Sequence, residues 1–371
     1  MIQFHPSPSF TVGLEMEFQL VDPDSQDLVD GILPLLRECA DVPSIKPEFI
    51  QNTVEVASSP ARNLTELEAV MRPRIARLIQ GCDRLGMALC GTGTHPFCHR
   101  PAVASPGSRY RGQSRAAGWL GRHQVTFAAH VHLGLPSGEE ALRVMRELKP
   151  YLPLLIALSA ASPFWQGDDT RFAAFRQRVL AASRSYGPPP DFQDWTAFEH
   201  FVATMRQARM LRVIRDLHWD LRPRGDFGTL EVRVMDAQPT LADSLAFAAL
   251  LRALTRFLRD TRAESTGERA LRPLFWWYLK ENCFWASRHG IEAQLIVDDE
   301  GSLRSLREVA RTTLESLEAY AEEDERRGLE RLRQNLEGSL PYQRERRIHD
   351  RTGSLRDVVR VLCEELREEC G

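Results

Sequence analysis

Residues 11–21, TVGLEMEFQLV, alternate apolar and polar positions as far as Leu20. Successive side chains of an extended chain point to opposite faces. Leu14, Met16, Phe18 and Leu20 therefore share one face, and Gly13, Glu15, Glu17 and Gln19 the other. Three further segments repeat the pattern, at 50–57, 125–135 and 228–236. Glu55 lies between Val54 and Val56. His130, His132 and Gly134 oppose Val131, Leu133 and Leu135, while Thr229, Glu231 and Arg233 oppose Leu230, Val232 and Val234.

That alternation decides the fold class. Strands buried on both faces, as in parallel sheets, read as near-continuous apolar runs, and these do not. Helical patterns fall between and after them, at 65–89, 138–160, 168–184, 195–217, 241–262, 272–288 and 303–323. Pro73 should end or kink the first turn of the earliest helix. From about 325 onward the chain is charged and helical, with 353–368 the clearest amphipathic piece. The expected class is α+β: a largely antiparallel sheet with helices packed on one face and a polar face opposite. The longest irregular stretch, 94–123, is rich in Gly, Pro, Ser and Arg, and loops of that length are usually functional or disordered. A second break falls at 187–190.

Composition removes several functions. The 48 Lys and Arg nearly balance 51 Asp and Glu, so nothing points to nucleic acid or to an anionic membrane as partner. Seven Cys with no CxxC pair fit neither a disulfide framework nor a zinc ribbon, and reduced thiols are the expected state. No basic segment with an apolar run opens the chain, and no stretch approaches ~18 consecutive apolar residues. A cytoplasmic location is expected. There is no GxxxxGK[ST], GxSxG or HExxH, and Gly91-Thr92-Gly93 is too short for a dinucleotide fingerprint.

A half-exposed strand carries polar residues in any case, so no single face is informative. The residue types are. A solvated face normally mixes Thr, Lys, Arg and Gln, whereas these positions hold almost only Glu and His, with Arg233 in the last. Carboxylates ~4 Å apart repel by ~4 kcal/mol per pair at an effective dielectric of 20. Several such pairs approach the ~5–15 kcal/mol stability of a whole domain, so converging faces need cations between them. Carboxylate with some imidazole selects Mg²⁺ or Mn²⁺, and Mg²⁺ shares phosphate oxygens, which makes a nucleotide the natural partner. Arg222, Arg233 and Arg176 are candidates to grip phosphate or carboxylate with two N–H groups at once.

These residues resemble a family. Residues 11–22, HVHLG at 130–134, SPFWQG at 162–167, WDLRP at 219–223, TLEVR at 229–233 with DAQP at 236–239, and Glu281-Asn282 with Arg288 and Gly290 are similar, in order, to the type-2 glutamate–cysteine ligases, or carboxylate–amine ligases. The resemblance spans about residues 11–320. It implies one catalytic domain over 1–371, of the glutamine-synthetase/guanido-kinase-like kind, with the charged helical segment at 325–371. It implies ATP and Mg²⁺ or Mn²⁺ as cofactors, and small-molecule substrates: an amino-acid carboxylate, typically the γ-carboxyl of glutamate, and an amine such as that of cysteine. By resemblance Glu15, Glu17, Glu55, His130, His132 and Glu231 are metal ligands. Arg233 and Arg222 serve ATP and catalysis, and Arg176, Trp165 and Thr170 face the substrate. Met16 stands where many relatives have a third acid, and Ala161 where an Asn is common, which leaves the substrate more open than the reaction. A metal-dependent hydrolase and a non-catalytic binding module are the competing readings, and a homo-oligomer is compatible with all of them. The 94–123 loop, with Arg109, Tyr110 and Arg111, would cover the site.

Overall fold

A computed structural model describes residues 2–42, 44–261 and 271–371. The 11–21 stretch forms the centre of the sheet, β1 (Val12–Val21). Around it stand β2 (Ile45–Pro47), β3 (Thr53–Ala57), β4 (Ala88–Cys90) and β5 (Ala129–Gly134). A hairpin, β6 (Phe164–Trp165) and β7 (Asp168–Asp169), lies apart, and β8 (Leu221–Arg224) and β9 (Thr229–Val232) complete the sheet. The order is β2-β3-β1-β5-β9-β8, with β4 also paired to β1, and every pairing is antiparallel. The α+β expectation holds.

Leu14, Met16, Phe18, Val54, Val56, Val131, Leu133, Leu230 and Val232 are all buried on the apolar face. Two long helices cover them, Leu64–Arg84 and Leu241–Asp260. Side-chain caps start both: Asn63 accepts from the Glu66 N–H, and Thr240 from that of Asp243. Pro73 neither ends nor divides the first helix, which runs through it for 21 residues. The expected helix 241–262 ends at Asp260, and its last expected residue, Arg262, lies outside the described residues.

Several expected boundaries move. The strands expected at 50–57 and 125–135 shorten to β3 and β5. The 138–160 helix divides into Gly138–Leu148 and Leu152–Ser159 around Pro150, and of 168–184 only Arg176–Leu180 is helical. The 94–123 loop contains two helices, Ser108–Ala117 and Trp119–His123. Gly228 sits at φ +63° in the β8–β9 turn, against the His5 carbonyl and the Ser7 N–H, where any side chain would collide.

The charged end is helical as expected, in Glu323–Glu337, Pro341–Thr352 and Leu355–Cys370. The first of these packs on Leu241–Asp260 through a buried ion-pair group. Arg252 Nη1 lies 2.8 Å from Glu325 Oε1, and Arg256 pairs with the other Glu325 oxygen.

Candidate active site

Strand register brings the polar residues together. Glu15 pairs with His130, and Gly13 with His132. His132 pairs in turn with Glu231, and Glu231 with Arg222. On the other side of β1, Glu17 pairs with Glu55, and Glu55 with Lys46. Adjacent same-face positions across a sheet are close enough for their side chains to meet.

Two groups of metal-ligand atoms result. In each, one atom from every residue lies within 4.8 Å of the others: Glu15, His132 and Glu231 in one, Glu17, Glu48 and Glu55 in the other. The electrostatics of the second group suit a cation. Burial and the neighbouring Glu55 push the Glu17 carboxyl up to about 7. Burial with Glu15 and Glu48 raises Glu55 well above the ordinary range, and burial with Glu17 raises Glu48. Among the described residues only Lys46, 3.4 Å from Glu55 Oε1, makes an ion pair with any of the three. An all-oxygen set suits a hard divalent ion, which would keep further positions for water or phosphate.

The other group is differently balanced. Burial opposes the Glu15 charge, but the His130 and His132 imidazoles beside it hold that carboxyl well below its usual range. His132 Nδ1 bonds Thr229 Oγ1 at 3.0 Å, while its buried Nε2 faces Glu15 Oε1 at 3.5 Å without a formal hydrogen-bond partner. With Nδ1 satisfied, Nε2 carries the lone pair that a metal would use. Glu231 is fully buried and surrounded by arginine. Arg222 grips it with two bonds of 2.9 Å, Arg224 Nη1 stands 3.3 Å away, and Arg233 Nη1 touches Oε1. Burial would favour the neutral acid, yet Arg222 and Arg233 keep Glu231 well below the ordinary carboxylate range.

The expected residues divide by what they touch. Glu15, Glu17, Glu55, His132 and Glu231 fall in the two donor groups. His130 does not: its Nδ1 lies 3.2 Å from Glu15 Oε2 and 3.4 Å from Arg233 Nη1, and burial beside Arg233 lowers it to about 4. Its Nε2, like that of His132, is buried without a hydrogen-bond partner. Arg222 is committed to Glu231 and to the Arg215 and Leu217 carbonyls. Arg176 is buried and donates to the carbonyls of Arg233 and Val234, with Asp236 Oδ1 at 3.7 Å. Thr170 holds its own turn, bonding the Pro163 carbonyl, and the half-buried Trp165 ring packs 6.0 Å from Phe175.

Two members were not anticipated. Arg224 shares the polar face of β8 with Arg222, an alternation readable in LRPR. Glu48 directly follows β2, a strand too short to show a period. Helix Ser108–Ala117 closes over this side: Tyr110 donates to the Pro47 carbonyl at 2.6 Å. Burial and Glu48 push its phenol up to about 12.

Comparison with known proteins identifies the family. Residues 11–361 match the family model of glutamate–cysteine ligase family 2. A Trichormus variabilis protein provisionally named glutamate–cysteine ligase 2 is 44% identical over 369 residues, covering 99% of this chain and 95% of its own. A Thermobifida fusca protein of the same provisional name is 34% identical, covering 99% and 93%. Among solved structures, the fold is similar to glutamate–cysteine ligase from Francisella tularensis in complex with AMP. That likeness has TM-score 0.66 and 14% identity, and covers 98% of this chain and 90% of the other. A bifunctional glutathione synthetase from Pasteurella multocida gives TM-score 0.67 at 14% identity, covering 98% and 52%. With sheet, donor groups and sequence pointing one way, the chain belongs to glutamate–cysteine ligase family 2 and is an enzyme of the ATP-dependent carbon–nitrogen ligase class.

Proposed function

We propose that this protein joins the γ-carboxyl of an amino acid, glutamate in the first instance, to an amine such as that of cysteine, forming ADP and phosphate. The observation that carries the reading is the gathering of Glu17, Glu48 and Glu55 within ligand distance, beside a second donor group and a half-buried arginine. Three crowded acids with raised affinity for protons are a poor resting state and a good cation site.

Bound Mg²⁺ or Mn²⁺ would supply Lewis-acid charge to the ATP phosphates. Glu15, His132 and Glu231 would hold one ion and Glu17, Glu48 and Glu55 another. ATP phosphorylates the carboxylate, the amine attacks the acyl carbon, and phosphate leaves. Arg233 is the half-buried guanidinium of the site, so it is the one to meet charge on the phosphoryl group in transit. Arg222 and Arg224 act through Glu231, and Arg176 through the Arg233 backbone; all three are positioning residues. The Tyr110 helix keeps water from the acyl phosphate. Segment 162–170, with Trp165 and Thr170, is assigned to the substrate side. Seven free thiols suit a reducing cytoplasm.

The test is a screen of amino acids and amines for stimulated ADP release with Mg²⁺ and ATP. Glutamate with an amine should give the largest stimulation, and Glu15→Gln should lower it at least about a hundredfold. ATP turnover that needs no amine, or that survives in Glu15→Gln, sinks the proposal.

A further inference from the structure

Helix Ser108–Ala117 has a second face that the reaction does not use. Ser108, Arg111, Gly112, Arg115 and Ala116 recur at helical spacing, and with Arg212 they line an open recess of about 460 Å³. None of the three arginines forms an ion pair or a side-chain hydrogen bond among the described residues, although ion pairs are plentiful elsewhere in the chain. Three like charges around one recess, none of them ion-paired among the described residues, repel one another.

Gly112 is the second sign. Glycine inside a helix costs about 1 kcal/mol against alanine. Here a Cβ would come within 3.3 Å of Arg212 Nη1, so its absence lets that guanidinium lie against the helix. Arg212 is held from behind, since its N–H and that of Val213 both donate to Asp216 Oδ2. The helix itself buries no residue, so few apolar contacts hold it in place.

We propose that this recess binds a small polyanion, of the polyphosphate or polycarboxylate kind, in a site separate from ATP. Three guanidinium groups offer paired N–H donors to several acceptor oxygens at once, which a single monoanion would not fill. Bridging Arg111 and Arg115 to Arg212, the anion fastens the helix to the 212–216 turn and so braces Tyr110 at its position beside Glu48. The binding claim stands apart from the ligase reading, because it can be measured without turnover.

The full chain, stripped of metal with EDTA that is then dialysed away, is titrated calorimetrically with pyrophosphate and with citrate at low ionic strength, while hydrogen exchange is followed over 108–117. Without metal the carboxylate-rich cleft repels anions, so the recess is what remains. At least one probe should bind and slow exchange in 108–117, and the tighter one names the chemistry. Arg111→Gln, Arg115→Gln and Arg212→Gln together should weaken binding at least about tenfold, the loss of charge-assisted hydrogen bonds. Gly112→Leu should weaken it too, through Arg212, while Arg351→Gln with Arg356→Gln should leave it within about twofold. The proposal falls if neither probe binds, if the triple variant binds equally well, or if 108–117 is not protected.

Discussion

At the residue scale the two donor groups behave oppositely, and that difference can be measured. Glu231 answers three guanidinium groups at once, so Glu231→Ala would leave buried charges unpaired, costing about 3–5 kcal/mol. It tests stability before it tests chemistry. Glu15→Gln keeps the shape beside His130 and His132 and should cost only about 1–2 kcal/mol, so its lost turnover reads on the reaction. A thermal melt of both variants distinguishes the cases. Glu17 has its folded pKa raised to about 7, above the unfolded carboxylate value. The metal-free folded chain therefore binds more protons than the unfolded one between those values, and Glu17 loses its favourable contribution as pH rises through about 7. Glu17→Gln should accordingly gain in melting temperature over the parent as pH goes from 5 to 8 without metal. Because an ion must displace that proton, Mg²⁺ should stabilise the parent more at pH 8 than at pH 6. An equal Mg²⁺ shift at both pH values would count against the Glu17 group.

At the element scale, strand β9 depends on how its turn is made. Gly228→Ala forces a side chain at φ +63° into the His5 carbonyl and should cost about 1–3 kcal/mol. It should also lower turnover by shifting Glu231, which denaturation and kinetics would report together. Helix Ser108–Ala117 hangs on one Tyr110 bond and a few contacts, so Tyr110→Phe should speed proteolytic cleavage near 108–118 and raise ATP hydrolysis without an amine. Unchanged coupling would remove the helix from the mechanism. Elements with long, clean periods were legible in the sequence: β1, and Leu241–Asp260 to within two residues. Those set by tertiary pairing were not. β4 reads as the end of a helix because its three residues pair only with β1. β8 carries Pro223, which hides a strand in the sequence and is tolerated because β8 is an edge. Glu48 was invisible for the same reason as β2, whereas Arg224 was one alternation step from Arg222 and could have been found.

At the scale of the whole molecule, the C-terminal helices are fastened by charge as much as by packing. Glu325, fully buried between Arg252 and Arg256, should cost about 3–5 kcal/mol when changed to Ala. The half-exposed Glu322 beside it should cost about 0–1 kcal/mol, and urea denaturation would show the contrast. The general plan, polar strand faces converging over an apolar layer, was visible because type and period agreed along four segments. What was not visible is which arginines are free, since every guanidinium looks alike until its acceptors are known. β1 adds a constraint of its own. It gives Glu15 to one donor group and Glu17 to the other, two residues apart, about 7 Å along an antiparallel strand. The strand is thus a ruler between the two ion positions, graduated by backbone pleat and not by side-chain size. Point substitutions can blunt either mark without moving it. A single-residue insertion between them would turn one mark to the helix side, so this interval can be lost in one step but not adjusted.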